Sequence, residues 1–278
     1  MKINLAATGG FCFGVRRALA IALKTAKSGA QVEMLGDIVH NEDVVKQMNS
    51  AGIRTIKRLG RGENKILLIR AHGASQEVFD RALKRGYTIV DATCPKVRKI
   101  YKLAELSKHE GCEVIIIGDR NHDEVRGIVG QLKGKAIVID SLKKIPLKTI
   151  KRISKACVVV QSTQNLDITL HILARLKKHI KSLTFYNTIC KPTRVKQKEI
   201  KTLPLKNDVM IIIGSRTSAN TRRLFEIAKS LNKRTHWIQS MGELKAAWFK
   251  GARKVGVMAG ASTPDETTRG VIDCIQSF

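Results

Sequence analysis

Cys12, Cys94 and Cys190 sit in similar local settings at distant points of a 278-residue chain: Gly-Gly-Phe-Cys-Phe-Gly, Asp-Ala-Thr-Cys-Pro and Asn-Thr-Ile-Cys-Lys-Pro. Three thiolates are one short of a closed metal site. Structural zinc sites and ordinary electron-transfer iron–sulfur clusters take four protein ligands, whereas a site with three leaves a coordination position open to a substrate. The missing ligand is thus the first pointer to catalysis. No Cys-x-x-Cys or His-x-x-x-His clip is present. Short ligand spacing is usual in structural zinc sites, so its absence weakens zinc while leaving ligands gathered across the fold as an alternative. Three thiolates without a local clip fit a cluster at a domain interface better. Cys112, Cys157 and Cys274 lie in or beside apolar segments, where a thiol serves as a small buried hydrophobe.

The elements that must position these residues recur. Apolar, β-rich runs fall at 32–36, 66–70, 113–118, 157–161, 209–214 and 255–260, each followed by a polar loop and a helix-like stretch. Such alternation predicts an α/β fold of mainly parallel sheets covered by helices, with functional groups at the carboxyl ends of the strands. The loops come in three copies. After the first type of strand stand Gly36-Asp37-x-x-His40, Gly118-Asp119-x-x-His122 and Gly214-Ser215-x-x-Ser218; after the second type stand Ala71-His72-Gly73, Gln161-Ser162-Thr163 and Ala261-Ser262-Thr263. This alignment puts His72, Ser162 and Ser262 in one slot. A cysteine strand closes the first copy at Cys94 and the second at Cys190, and Cys12 supplies the third from the N-terminus. The three cysteines stand 82 and 96 residues apart, a difference that surface loops absorb.

Three α/β modules related by a pseudo-threefold axis would place the cysteines at its centre: residues 13–95, 96–191, and 192–278 completed by the N-terminal strand 1–12. The loops would then bring His40, His72, His122, Ser162, Thr163, Ser218, Asn220 and Ser262 around that centre, with Glu124 two residues from His122. Imidazoles, hydroxyls, an amide and helix N-termini suit phosphate oxygens. A carboxylic acid beside a metal can deliver protons to a leaving hydroxyl. The expected ligand is a small phosphorylated molecule.

The charge of +28, from 51 Lys and Arg against 23 Asp and Glu, fits an anionic substrate, an acidic protein partner or nucleic acid. Its basic residues are scattered, with few aromatics between them, which argues against a nucleic-acid platform. The distributed lysines otherwise suggest a solvated surface, or steering of an acidic ferredoxin or flavodoxin towards the cysteines. No long apolar stretch marks a membrane span or a secretory signal, so the chain reads as cytoplasmic.

These motifs together closely resemble the IspH/LytB family over essentially the whole chain. The resemblance runs through Gly-Phe-Cys-Phe-Gly-Val-x-Arg-Ala at Cys12, Ile-Val-His-Asn at His40, Ala-His-Gly at His72 and Asp-Ala-Thr-Cys-Pro at Cys94. It continues through His-x-Glu-Val-x-Gly at His122 and Glu124, Asn-Thr-Ile-Cys at Cys190, Gly-Ser-x-x-Ser-x-Asn at Ser218 and Asn220, and Ala-Gly-Ala-Ser-x-Pro-Asp at Ser262. Eight motifs in family order outweigh any one of them.

The resemblance implies one 4Fe-4S cluster with three cysteine ligands, Cys12, Cys94 and Cys190, and an open apical iron. It implies reductive removal, by two electrons and two protons, of the hydroxyl of 4-hydroxy-3-methylbut-2-enyl diphosphate. The products would be isopentenyl and dimethylallyl diphosphate, at the end of the methylerythritol phosphate route. His40, His72, His122, Ser218, Asn220 and Ser262 would hold the diphosphate, and Glu124 with His122, Ser162 or Thr163 would handle protons. The chain departs from the family pattern at Ser162 for threonine, Ala219 for serine, Lys191-Pro192 for a small residue, and Thr8-Gly9 for Pro-Arg.

Overall fold

A computed structural model describes residues 1–278. The chain opens with β1 (Lys2–Leu5), α1 (Phe13–Ala26), β2 (Gln31–Leu35), α2 (Glu42–Ser50), β3 (Ile53–Ile56), β4 (Lys65–Ile69), α3 (Gln76–Lys84) and β5 (Thr88–Asp91). It continues with α4 (Pro95–His109), β6 (Glu113–Ile117), α5 (Asp123–Gln131), β7 (Ile137–Ile139), α6 (Leu147–Ile150), β8 (Lys155–Val160), α7 (Leu166–Lys177) and β9 (Ser182–Phe185). The last stretch holds α8 (Lys191–Ile200), β10 (Val209–Ile213), α9 (Ala219–Leu231), β11 (Thr235–Ile238), β12 (Lys254–Ala259) and α10 (Asp265–Gln276).

The strands form three four-stranded, all-parallel sheets of one plan: β3-β2-β4-β5, β7-β6-β8-β9 and β11-β10-β12-β1. All six apolar runs of the sequence are the inner pairs of these sheets. Most of their residues are apolar because an inner parallel strand is covered on both faces. In β6, Ile115 and Ile117 pack with Ile172, Leu173 and Leu176 of α7, while Val114 and Ile116 pack with Val97, Ile100, Val125 and Ile128 of α4 and α5. In β10, Ile211 and Ile213 meet Val271 and Ile275 of α10, while Met210 and Ile212 meet Leu224 and Ala228 of α9. Truncating one such isoleucine to alanine costs about 2–5 kcal/mol.

The chain divides into two compact units: Met1–Arg16, Val39–Val44 and Lys191–Phe278 in one, Arg17–Ile38 and Val45–Cys190 in the other. The smaller holds the sheet containing β1, the larger the other two. Two cysteine strands lead into helices that cover a different sheet. After Cys94, α4 packs on β6 and β8; after Cys190, α8 packs Ile200 with Met210, Ile212 and Met258.

Candidate active site

Backbone hydrogen bonds build the same loops three times. At the end of the first strand type, the amides of Gly36, Gly118 and Gly214 donate to the carbonyls of Ile56, Ile139 and Ile238 at 3.1, 3.0 and 2.9 Å. After the second type, Gly73 donates to Arg70, Gln164 to Gln161 and Thr263 to Gly260, at 3.0, 3.0 and 3.2 Å. Each cysteine amide is tied to one of these turns: Cys94 to Ala71, Cys190 to Ser162 and Cys12 to Ala261, at 3.0, 3.0 and 3.1 Å.

These bonds correct the expected alignment by one residue. Ser162 is equivalent to Ala71 and Ala261, and Thr163, not Ser162, fills the slot of His72 and Ser262. Matching hydroxyl to hydroxyl misread the register, which the turn and the cysteine bond set. A similar offset separates His40 from His122 and Ser218. His122 and Ser218 are themselves helix N-caps, accepting from the amides of Glu124 at 3.2 Å and Thr221 at 3.3 Å. In the first copy α2 starts one residue later, so Asn41 caps it by accepting from Val44 at 3.0 Å, and His40 precedes the cap.

In the larger unit the centre of the polar network is Glu124, at the start of α5 and 1 % exposed. One carboxylate oxygen accepts the Ser162 amide at 2.6 Å and the other the Ser162 hydroxyl at 2.6 Å. Burial pushes this carboxyl above its ordinary range, against the opposing pull of the two Ser162 bonds. Ser162 therefore joins the buried Glu124 carboxyl to Cys190, whose amide its carbonyl accepts. The His72 and His122 rings meet edge to face, 5.4 Å between centroids, and the buried Tyr101 hydroxyl donates to the His72 carbonyl at 3.1 Å. Gln161, fully buried, accepts the Asp119 amide at 2.8 Å and donates to the Thr163 hydroxyl at 2.9 Å, bracing one loop against the next.

In the smaller unit Cys12 directly precedes α1. Ser262 donates to the His40 carbonyl at 3.1 Å. Asn220 lies in the first turn of α9, 4 % exposed, and its side-chain nitrogen finds no protein acceptor. Buried donors are almost always satisfied, so this amide fits a ligand oxygen. Lys196 is 3 % exposed; burial draws its ammonium down to about 8, against the charges of Cys12, Glu199 and Asp265.

The Cys12 loop requires glycine at position 10, where φ is +76° and a Cβ would lie 2.1 Å from an Asp265 carboxylate oxygen. Gly10→Ala is expected to lower the denaturation midpoint by the equivalent of at least about 1 kcal/mol. Gly9→Ala, whose Cβ would meet neighbours at 3.7 and 3.8 Å, is the near-neutral control. Equal midpoints for the two variants would contradict this reading of the loop.

The LytB family model matches residues 3–276 of this chain. The chain belongs to the LytB family. Among curated LytB relatives, the 4-hydroxy-3-methylbut-2-enyl diphosphate reductase of Geobacter metallireducens is 38 % identical, covering 100 % of this chain and 98 % of the relative. That of Aquifex aeolicus is 38 % identical over 100 % and 97 %. A solved structure of (E)-4-hydroxy-3-methyl-but-2-enyl diphosphate reductase, described as the terminal enzyme of the non-mevalonate pathway, superposes with a TM-score of 0.72 at 36 % identity, covering 100 % of both chains. The corresponding reductase from Plasmodium falciparum gives 0.89 at 26 % identity, over 98 % of this chain and 87 % of that one.

LytB proteins use an iron–sulfur cluster. The donor set here suits one. No disulfide joins any of the six cysteines, and the three in repeated loops are partly exposed beside helix starts, whereas Cys112 and Cys157 are buried. Cys274 is partly exposed rather than buried as expected. No helix is long and apolar enough to cross a membrane.

Proposed function

We propose that this chain is a 4-hydroxy-3-methylbut-2-enyl diphosphate reductase that removes the substrate's hydroxyl as water with two electrons and two protons. LytB membership at full length supports the reaction. The observation that carries the chemistry is the buried Glu124 carboxyl, tied through both oxygens to Ser162, which also holds Cys190.

In this reading Cys12, Cys94 and Cys190 would hold one 4Fe-4S cluster. When bound, the cluster supplies electrons one at a time and a Lewis-acidic iron. Glu124, kept protonated by burial, gives a proton to the departing oxygen, with the hydroxyls of Ser162 and Thr163 and the His122 ring arranging its path. His40, His72, His122, Ser218, Asn220 and Ser262 grip the diphosphate, so that binding remote from the reacting carbon orients it. The modules of this reading are 13–95, 96–191 and 192–278 with 1–12, in a cytoplasmic enzyme served by ferredoxin or flavodoxin.

The test is anaerobic preparation, followed by iron and sulfide assay and reductant-dependent consumption of the allylic diphosphate. Cluster together with turnover supports the reading; a reconstituted cluster without turnover, or no cluster at all, overturns it. Asn220→Leu tests the diphosphate grip. A hydrogen bond to a charged oxygen contributes about 1.5–3 kcal/mol, so KM should rise on the order of tenfold or more. Thermal stability of the unliganded chain should not fall, because the amide has no protein acceptor to lose.

A further inference from the structure

The loop that carries Cys12 is held from one side by two residues of α8. Lys196 and Glu199 lie three residues apart and hence on one face of that helix. Glu199 accepts the loop's amides, Ala7 at 2.6 Å and Thr8 at 3.1 Å, and also the Thr8 hydroxyl. Lys196 donates to the Thr8 carbonyl and, at 3.2 Å, to the Ala259 carbonyl. The turn following Ala259 accepts the Cys12 amide at Ala261. The ammonium thus spans the two backbone segments that meet at the cysteine. Thr8 supplies two of the three contacts with Glu199, its N–H and its hydroxyl, and a proline there would offer neither.

A buried ammonium persists only where acceptors and opposite charge compensate its lost hydration. Two carbonyls do so here, with Glu199 and Asp265 supplying negative charge around it.

We propose that Lys196 and Glu199 are positioning residues for Cys12: Glu199 fixes the loop that presents the thiolate, and the Lys196 charge makes a cluster held there easier to reduce. The inference rests on Cys12 being a cluster ligand. A reduced cluster carries one more negative charge, and a cation buried nearby stabilises that state over the oxidised one. Lys196 should therefore set the potential, and Glu199 the permanence of the ligand.

The experiment compares the anaerobically reconstituted wild type with Lys196→Gln, Lys196→Arg, Glu199→Gln and Glu199→Ala. Midpoint potentials are read by titration monitored with electron paramagnetic resonance, and iron release to a chelator is timed. Lys196→Gln should cut the reduced-to-oxidised ratio at the wild-type midpoint about tenfold, a shift of 59 mV to lower potential for one electron. Lys196→Arg, which keeps the charge, should stay near wild type. Glu199→Ala should speed iron release severalfold, and Glu199→Gln should do so less.

In the metal-free chain, Glu199→Ala should also raise the alkylation rate of Cys12 while leaving that of Cys94 unchanged. This arm needs no cluster. If Lys196→Gln does not fold, a potential for Lys196→Arg outside the wild-type range overturns the charge role and one within it supports it. Unchanged potential in Lys196→Gln, or unchanged release and alkylation in Glu199→Ala, overturns the corresponding part. A wild type that takes up no cluster refutes the functional reading instead, and the alkylation arm still judges the clamp.

Discussion

Glu124→Gln is expected to retain wild-type iron and sulfide while turnover falls by about 10²–10⁴, the usual contribution of a positioned proton donor. The substitution is nearly isosteric. Its carbonyl oxygen can accept the Ser162 amide as the carboxylate does at 2.6 Å, and its NH2 can donate to the Ser162 hydroxyl, which reverses its role. The loop that holds Cys190 should therefore stay in place. What the variant loses is the ability to give up a proton.

The same substitution carries a stability signature of definite sign. Burial raises the carboxyl above its ordinary value, so the folded chain binds this proton more tightly than the unfolded chain. The associated stabilisation is fully present below the unfolded value of about 4.3 and is lost as pH climbs through the raised folded value. Glu124→Gln does not titrate there. In thermal melts of the metal-free chain, the variant should gain on wild type as pH rises across that window. A gap between the two that is constant with pH would remove the case for a protonated Glu124, even if turnover collapsed.

The sheets were legible because their inner strands are apolar runs, four of them followed directly by glycine. Gly36, Gly118 and Gly214 end equivalent strands, and their repetition marked the three copies. The edge strands β3, β7 and β11 carry no such mark. They are only three or four residues long, and being half covered they lack a continuous apolar signal. Motif residues were also readable as types, but not always as positions. His72, Thr163 and Ser262 share a slot that only the backbone bonds reveal, because residue type favoured Ser162.

The supporting residues were the least visible. Gln161 is a neutral side chain whose role comes from joining Asp119 to Thr163, neighbours 42 and 2 residues away. Lys196 stands in a chain of 51 basic residues, and nothing local marks it as buried. Its one hint was indirect: Thr8 replaces the proline of the family pattern, which frees an amide that some acceptor must satisfy. Glu199 lies 191 residues away, so the tertiary fold alone supplies the answer.

Replacing the cysteines should split them into two groups with opposite phenotypes. Cys12→Ala, Cys94→Ala and Cys190→Ala are each expected to abolish turnover and most of the bound iron, while leaving the melting of the metal-free chain nearly unchanged. Their thiols are partly exposed, so little core is lost. Cys112→Ala and Cys157→Ala should keep iron and turnover but cost about 1 kcal/mol of stability, as small cavities in a packed interior do. Cys112 is 3 % exposed and Cys157 1 %. Burial pushes the Cys112 thiol up to about 11, and its bond with Cys157 adds to the rise. A thiol so hard to ionise is a poor metal ligand, because the thiolate is the form that binds. Iron assay and thermal melts on the five variants decide the matter. Full iron content in Cys94→Ala or Cys190→Ala would show that the ligand set has been drawn wrongly, whereas iron lost from Cys157→Ala with its fold intact would mean that a buried thiol reaches the cluster.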